Sequence, residues 1–221
     1  MDEEIITLQK AITYRAARLG AKKIGFADLS ATGHPLASRF PSGIALVLPM
    51  DPAIVGGDDE PKLFEHQVWQ LEKLEAIKAS LGELLASQGY GFHSVGNDHD
   101  PITLAAELSH KMVANLAGLG WVGKSTLFVT PEYGPRIRLT SLLTDARFSA
   151  RSVPLASKCG DCDRCAASCP ADAIKNVSWT PGIARGELLD VGRCADYRHR
   201  MGDGSRDYRC ARCLNACPRG E

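Results

Sequence analysis

All eight cysteines of the chain lie between residues 159 and 217, and their spacing suits iron–sulfur chemistry. Cys159, Cys162, Cys165 and Cys169, followed by Pro170, form a C-x2-C-x2-C-x3-C-P run. In such a run three thiolates hold one [4Fe–4S] cluster and the fourth reaches another. The second set is divided: Cys194 stands alone, and Cys210, Cys213 and Cys217-Pro218 follow an insertion of fifteen residues. Exchange of the fourth ligand assigns Cys159, Cys162, Cys165 and Cys217 to one cluster, and Cys194, Cys210, Cys213 and Cys169 to the second. The short spacing lets a tight loop offer three sulfurs to one cluster while its N–H groups face the inorganic sulfides. Pro170 and Pro218 then redirect the chain.

Two other uses of paired cysteines compete. A disulfide framework also takes an even number, but the chain opens Met-Asp-Glu-Glu without an apolar leader, so we expect a cytoplasmic protein, where disulfides are rare. Zinc ribbons bind through two-plus-two spacing, unlike a triplet closing on C-x3-C-P. The charge is balanced, 26 Lys and Arg against 26 Asp and Glu, which gives no general drive toward nucleic acid or anionic membrane. Residues 151–221 hold 12 basic and 9 acidic side chains, too small an excess to identify a partner. No stretch is long and apolar enough to span a bilayer.

With 221 residues and 44% apolar content, the chain can bury a sizeable core and a smaller lobe. Ile5, Leu8, Ile12, Ala16 and Leu19 mark a helix face that stops at Gly20. Lys23 to Leu29 reads as a strand, and Gly43 to Met50 as a strand buried on both faces. A long helix follows with Phe64, Val68, Leu71, Leu74, Leu81 and Leu85 on its stripe, then a strand from Tyr90 to Val95. Asp100-Pro101 predicts the cap and first turn of a helix carrying Leu104, Leu108, Met112 and Leu116, closed by Gly118. Strands are predicted over Ser125–Thr130 and Arg136–Asp145, joined by a turn at Pro131-Glu-Tyr-Gly134. The pattern is an α/β (α+β) lobe with a mixed sheet over residues 1–150, a linker at Arg151–Ser157, and a ferredoxin-like double-cluster domain within 151–221.

Gly118-Leu-Gly-Trp-Val-Gly123-Lys124-Ser125 satisfies the phosphate-loop pattern G-x-x-x-x-G-K-[ST]. That loop needs a strand before it and a helix after it, so that amides converge on phosphate at a helix N-terminus. The predicted order here is reversed, which argues against nucleotide binding. Its glycines and Trp121 instead let a backbone approach a flat or bulky ligand.

The segment Ala117-Gly-Leu-Gly-Trp-Val-Gly-Lys-Ser-Thr-Leu, then Thr130-Pro-Glu-Tyr-Gly-Pro, Leu143-Thr-Asp, Cys159-Gly-Asp-Cys-Asp-Arg-Cys and the divided second cysteine set, resembles the epoxyqueuosine reductase family from about residue 20 onward. The resemblance implies an α/β lobe that holds cobalamin and two clusters that pass single electrons to its cobalt. The family's reaction removes the epoxide oxygen of a tRNA nucleoside. It also implies that Gly118, Gly120, Trp121, Gly123 and Lys124 line the cofactor cleft and that the eight cysteines are the cluster ligands. Where the family usually carries an acidic proton donor, this chain has His110. It ends three residues after the second Cys-Pro, like a shortened relative.

An imidazole can replace a carboxylic acid as proton donor near neutral pH, and Glu107, three residues earlier on the predicted helix, would favour its charged form. A satisfied core or surface histidine is the plainer alternative. Asp98, His99 and Asp100 read as capping loop chemistry rather than a metal site. Arg198, His199, Arg200, Arg206, Arg209 and Arg212 surround the second cysteine set, where they offset cluster charge, contact RNA phosphate, or dock an acidic electron donor. Trp179 and Tyr197 read as packing near the clusters. The function class that follows is an iron–sulfur oxidoreductase with an unidentified electron donor and a small-molecule or tRNA-nucleoside substrate. The alternative is a ferredoxin-like carrier whose α/β lobe docks a partner and binds no cobalamin.

Overall fold

Helix α1 (Glu3–Arg18) forms where acidic residues open it and arginines close it, an order that suits the helix dipole. Its buried face is Ile5, Leu8, Ile12 and Ala16, whereas Leu19 lies beyond the last turn and is exposed. Strands β1 (Lys23–Asp28) and β2 (Ser42–Pro49) pair antiparallel, with Lys23 opposite Val47 and Asp28 opposite Ser42. Helix α2 (Pro52–Val55) is one turn capped by the Asp51 carboxylate, and α3 spans Glu60–Ser87. Strand β3 (Phe92–Ser94), helix α4 (His110–Leu116), the short strands β4 (Trp121–Val122) and β5 (Phe128–Val129), and β6 (Ile137–Thr144) follow. Four helices end the chain: α5 (Arg164–Ala167), α6 (Arg185–Leu188), α7 (Val191–Met201) and α8 (Arg212–Asn215). This computed structural model describes residues 3–56, 60–97, 106–150, 153–202 and 210–220.

Packing divides the molecule into two units that interleave along the chain, whereas the sequence division at residue 150 is linear. One unit gathers residues 1–48, 70–119 and 138–155. Its sheet has the order β1-β2-β6-β3, and β3 pairs antiparallel with β6. Ile44, Leu46, Leu48 and Leu142 of the sheet share a core with Ile5, Leu8 and Ile12 of α1 and Leu74, Ile77, Leu81 and Leu85 of α3. On the other face, α4 packs against β1, and Val113 sits so close to Gly43 that a side chain there would collide with it. Strand β2 is therefore buried on both faces, as its unbroken apolar run predicts. The α/β lobe is the class read from the periodicity.

The second unit gathers residues 49–69, 120–137 and 156–221. The first turns of α3 belong to it, with Leu63 packed against Met50 and Val55, and Ala211 and Leu214 at the same cluster. The buried face of α3 departs from the predicted stripe: it runs through Leu63, Leu74, Ile77, Leu81 and Leu85, and Val68 lies off that face and is exposed. Strands β4 and β5 form an antiparallel hairpin, Trp121 opposite Val129 and Val122 opposite Phe128.

Two further expectations need correction. The helix predicted from Asp100 is not continuous. Residues 106–109 are non-helical and α4 begins at His110 after Ser109, whose extended backbone ends the preceding segment. Asp98, His99, Asp100, Pro101 and Leu104 lie outside the described residues. The strand predicted from Ser125 starts at Phe128, since residues 123–126 are a turn in which Thr126 N–H donates to the Gly123 carbonyl. Helix, strand, turn and strand thus follow one another, so no helix N-terminus adjoins the Gly123-Lys124-Ser125 segment, and the phosphate-loop pattern has no structural counterpart. Among the described residues, no helix is long and apolar enough to cross a membrane.

Candidate iron–sulfur centre

Two short helices present the central ligands of the two sets. Helix α5 carries Cys165 and helix α8 carries Cys213, and the two helices pack together. Cys159 and Cys162 precede α5 in a turn closed by the Cys162 N–H on the Cys159 carbonyl at 3.2 Å. Cys169 follows α5, and the Ala173 N–H points at its sulfur at 3.4 Å, the amide-to-sulfur contact that iron–sulfur ligands use. Cys194 is presented differently, from the first turns of the eleven-residue helix α7. Asp190 caps that helix by accepting from the Arg193 N–H at 3.0 Å. The inserted residues between Cys194 and Cys210 begin as the rest of α7, an element the cysteine spacing did not reveal.

The thiols sort into two groups. Cys159, Cys162, Cys165 and Cys217 line one cavity, together with Gly123, Lys124, Arg164 and Arg219. Cys169, Cys194 and Cys213 pack with Ala173, Ile174, Leu189 and Val191, and Cys210 acts electrostatically on Cys194 and Cys213. Cys165 also packs with that second group and acts on Cys213, so it adjoins both sets of thiols. Among the described residues no three His, Cys, Asp or Glu side chains converge as they would on a single metal ion. Four sulfurs lining one cavity are a donor set that suits a cluster.

Electrostatics agree with that fit. Burial, then the neighbouring thiolates of Cys210, Cys194, Cys165 and Cys169, push the Cys213 thiol up to about 12. Burial is also the leading cause of the raised values at Cys165, Cys194 and Cys217. The Arg198 guanidinium opposes the rise at Cys194, so at least one member of the basic cluster bears on a ligand. Arg206 and Arg209 lie outside the described residues. Arg193 is held by Asp172 and Asp190 at 3.4 and 3.7 Å. Four crowded thiolates repel one another, and iron would supply the positive charge that makes the ionised set favourable.

The Gly118–Lys124 segment has several roles. Gly118, at φ 75°, closes α4 with its N–H on the Asn115 carbonyl. Gly120 lies against the backbone of Val129, leaving no room for a side chain between the two hairpin strands. Trp121 is 3% exposed, its indole N–H has no hydrogen-bond partner, and the Lys158 ammonium stands 5.8 Å from its ring centre. Gly123 holds the turn against Cys159, and Lys124 lines the cavity of four thiols. Sequence reasoning missed Arg136, whose guanidinium donates to the Arg219 and Cys217 carbonyls at 2.8 and 3.0 Å. No local signal distinguishes that arginine from a surface one.

His110 opens α4, and both its ring nitrogens are buried without a hydrogen-bond partner. Gly96 contributes a weak backbone attraction short of full hydrogen-bond geometry. Glu107 does not serve His110: its carboxylate binds His93 Nε2 at 3.0 Å and its carbonyl meets His34 Nε2 at 3.0 Å. The reason is the break before α4, which removes the helical spacing that would have aligned the two side chains. The neighbouring charge is instead Lys78, fully buried, which donates to the Val95 carbonyl at 2.7 Å and pairs with Glu75 at 2.9 Å. Sequence reasoning missed Lys78; a lysine at helical spacing between Leu74, Leu81 and Leu85 is the signal that could have found it. Burial first, and Lys78 second, lower the His110 value from 6.5 to about 4.

That shift has a sign. Above pH 6.5 the ring is neutral in both folded and unfolded chains and stability is unaffected. As pH falls toward about 4, the unfolded chain takes a proton that the folded one refuses, and stability drops by about 3 kcal/mol in total. Histidine-labelled NMR should show His110 titrating near 4, and a midpoint near 6.5 would contradict its buried environment.

Residues 158–220 match the family model of the 4Fe-4S double cluster binding domain. The epoxyqueuosine reductase of Vibrio cholerae is 30% identical over 174 residues, covering 73% of this chain and 40% of that protein. The chain spans 30% to 40% of the length of that reductase and of the one from Listeria monocytogenes. Among solved structures, an epoxyqueuosine reductase with a tRNA-Tyr epoxyqueuosine-modified stem loop superposes with a TM-score of 0.64 at 23% identity, covering 98% of this chain and 66% of that one. A reductive dehalogenase, described with a mechanism for B12-dependent dehalogenation, superposes with a TM-score of 0.74 at 20% identity, covering 95% of this chain and 31% of that one. At these identities the superpositions show a shared fold.

Proposed function

We propose, for a chain that is a relative of the epoxyqueuosine reductases, that it is a reductase whose two [4Fe–4S] clusters relay single electrons to a cobalamin. The observation that supports this reading is the cavity lined by Cys159, Cys162, Cys165 and Cys217, together with the packing of Cys169, Cys194 and Cys213 around Ala173, Ile174 and Leu189. In this reading Cys159, Cys162, Cys165 and Cys217 hold one cluster, and Cys194, Cys210, Cys213 and Cys169 the other. Residues 151–221 are the double-cluster domain and residues 1–150 the cofactor-binding lobe. Gly118, Gly120, Trp121, Gly123 and Lys124 belong to the corrinoid site, a role supported by the bare glycine backbone and by the buried indole N–H of Trp121 that lacks a partner. Bound cobalamin would supply a strongly reducing cobalt centre.

The protein's own residues do the rest. The thiolates fix the clusters, the apolar residues around Cys169, Cys194 and Cys213 exclude water from one of them, and His110 faces the proton requirement of a reduction. Held neutral at pH 7, His110 can donate only from a neutral imidazole N–H, a weaker acid than the imidazolium. That neutrality favours a second reading, an electron carrier without cobalamin. The substrate class is a tRNA nucleoside or a smaller epoxide-like acceptor, and the site of action is cytoplasmic.

Anaerobic reconstitution with iron and sulfide, followed by gel filtration with cobalamin, separates these readings. Brown protein with about eight irons per chain and retained corrinoid supports the reductase. Brown protein that retains no corrinoid leaves the carrier, and colourless protein removes both.

A further inference from the structure

We infer that Arg136 is the positioning residue that commits Cys217, the last cysteine of the second run, to the cluster of Cys159, Cys162 and Cys165. The inference rests on the cluster assignment proposed above and names what enforces the ligand exchange. Cys217 lies just beyond α8, where the last turn closes weakly, with the Cys217 N–H on the Leu214 carbonyl at 3.4 Å. Carbonyls past a helix end need donors from elsewhere, and Pro218 has no N–H to give. Arg136 supplies them from a distant turn. One guanidinium nitrogen donates to the Arg219 carbonyl at 2.8 Å and the other to the Cys217 carbonyl at 3.0 Å. A planar fork that spans two acceptors fixes direction as well as distance.

Both ends of this clamp are anchored. The Arg136 carbonyl accepts from the Met50 N–H at 2.8 Å, and the Arg136 N–H donates to the Tyr133 carbonyl at 3.2 Å. On the other side the clamped segment reaches the first run, because the Arg219 guanidinium donates to the Lys158 carbonyl at 3.1 Å, one residue before Cys159. Cys217 and Cys159 are thus tied through one path of bonds, and they line the same cavity. Helix α8 has separate anchors: Asn215 Nδ2 donates to the Val55 carbonyl at 2.7 Å, and Ala211 and Leu214 pack with Met50, Val55 and Leu63. Loss of Arg136 therefore frees Cys217 and spares Cys213. Arg136 also bears on the sulfur itself: burial raises the Cys217 thiol, and the guanidinium opposes that rise. A cluster held by thiolates is anionic, and a cation beside one ligand favours its reduced form.

The test compares the parent chain, Arg136→Met and Arg136→Lys, each reconstituted anaerobically with iron and sulfide and counted for both. Iodoacetamide labelling with peptide mapping reads each cysteine, and a mediated potentiometric titration with dithionite reads each cluster. In Arg136→Met, Cys217 is expected to label about tenfold faster than in the parent, as loss of two hydrogen bonds allows. Cys159, Cys162 and Cys165 follow it, while Cys210 and Cys213 stay protected. One reduction wave falls by about a tenfold change in its equilibrium, about 59 mV for one electron, and the other stays in place. Arg136→Lys, which keeps the charge and can reach one carbonyl, lies between parent and Arg136→Met on both measures. Loss of half the iron confined to the first cavity supports the same conclusion. Cys217 labelling at the parent rate in Arg136→Met overturns the inference, as does labelling of all the cysteines together, the mark of a general loosening. If Arg136→Met yields no folded protein, Arg136→Lys decides by the same two criteria. A parent protein that takes up no iron overturns the cluster assignment itself.

Discussion

Cys217→Ala, purified anaerobically, is expected to carry about four irons per chain instead of about eight, and the missing cluster should be the one on Cys159, Cys162 and Cys165. The expectation runs against linear order, since Cys217 belongs to the other cysteine run. Its basis is the shared cavity of Cys217 with Cys159, Cys162 and Cys165, and the electrostatic influence of Cys159 and Cys162 on its thiol. Alkylation followed by peptide mapping reads the outcome directly. Cys159, Cys162 and Cys165 should become reactive while Cys169, Cys194, Cys210 and Cys213 stay protected by their cluster. Labelling of Cys210 and Cys213 instead would mean that each run closes its own cluster. Electron transfer through the chain is expected to stop in either case, because a relay of two centres fails when one is absent.

Gly134→Ala is the second substitution with a large expected effect. Gly134 adopts φ 56° and closes the turn after β5, with reciprocal hydrogen bonds to Thr130 at 2.9 and 3.0 Å. A side chain there would strike the carbonyl of Arg219, two residues beyond Cys217. Both colliding partners are backbone, so no rotamer change relieves the contact. The left-handed conformation costs about 1–2 kcal/mol for alanine, and the collision adds about 1–3 kcal/mol. A loss near 3 kcal/mol corresponds to a melting temperature lower by about 6–12 °C. The displaced segment carries Cys217 and is also held by Arg136 and by the Arg219 guanidinium on the Lys158 carbonyl at 3.1 Å. Cluster occupancy should therefore fall with stability. Gly182→Ala is the control: its φ is 86° but nothing lies within 4 Å of the added carbon, so it pays the conformational term alone and should keep its iron. Equal effects of the two substitutions would show that the Gly134–Arg219 contact is unimportant.

Both substitutions connect the residues before the cysteines to the cysteines themselves. The Thr130-Pro-Glu-Tyr-Gly134-Pro segment reads in sequence as an ordinary turn. In the structure its glycine and the following Arg136 fasten the chain after the last ligand. The hairpin before it delivers Lys124 and Gly123 to the same cavity. The contacts of Arg136 with the segment after the last ligand join residues more than eighty positions apart, and no local spacing records them.

Local patterns determined much of this protein. The apolar face of α1, the doubly buried β2 and the helix-ending Gly118 follow from periodicity and backbone freedom within a few residues. The cysteine runs likewise specify cluster chemistry, because a short loop sets which three sulfurs can reach one cluster. Where elements meet distant neighbours, the sequence was insufficient. The same helical pattern continues through residues 100 to 116, yet the described chain is non-helical until Ser109, so Glu107 turns to His93 and Lys78 becomes the charge beside His110. Lysine and histidine are ordinarily solvated residues, and only tertiary burial decided that Lys78 stands beside a His110 ring held neutral. Spacing is a local property and survives in a list of residues, whereas dielectric environment and the identity of a facing group exist only once the chain has packed.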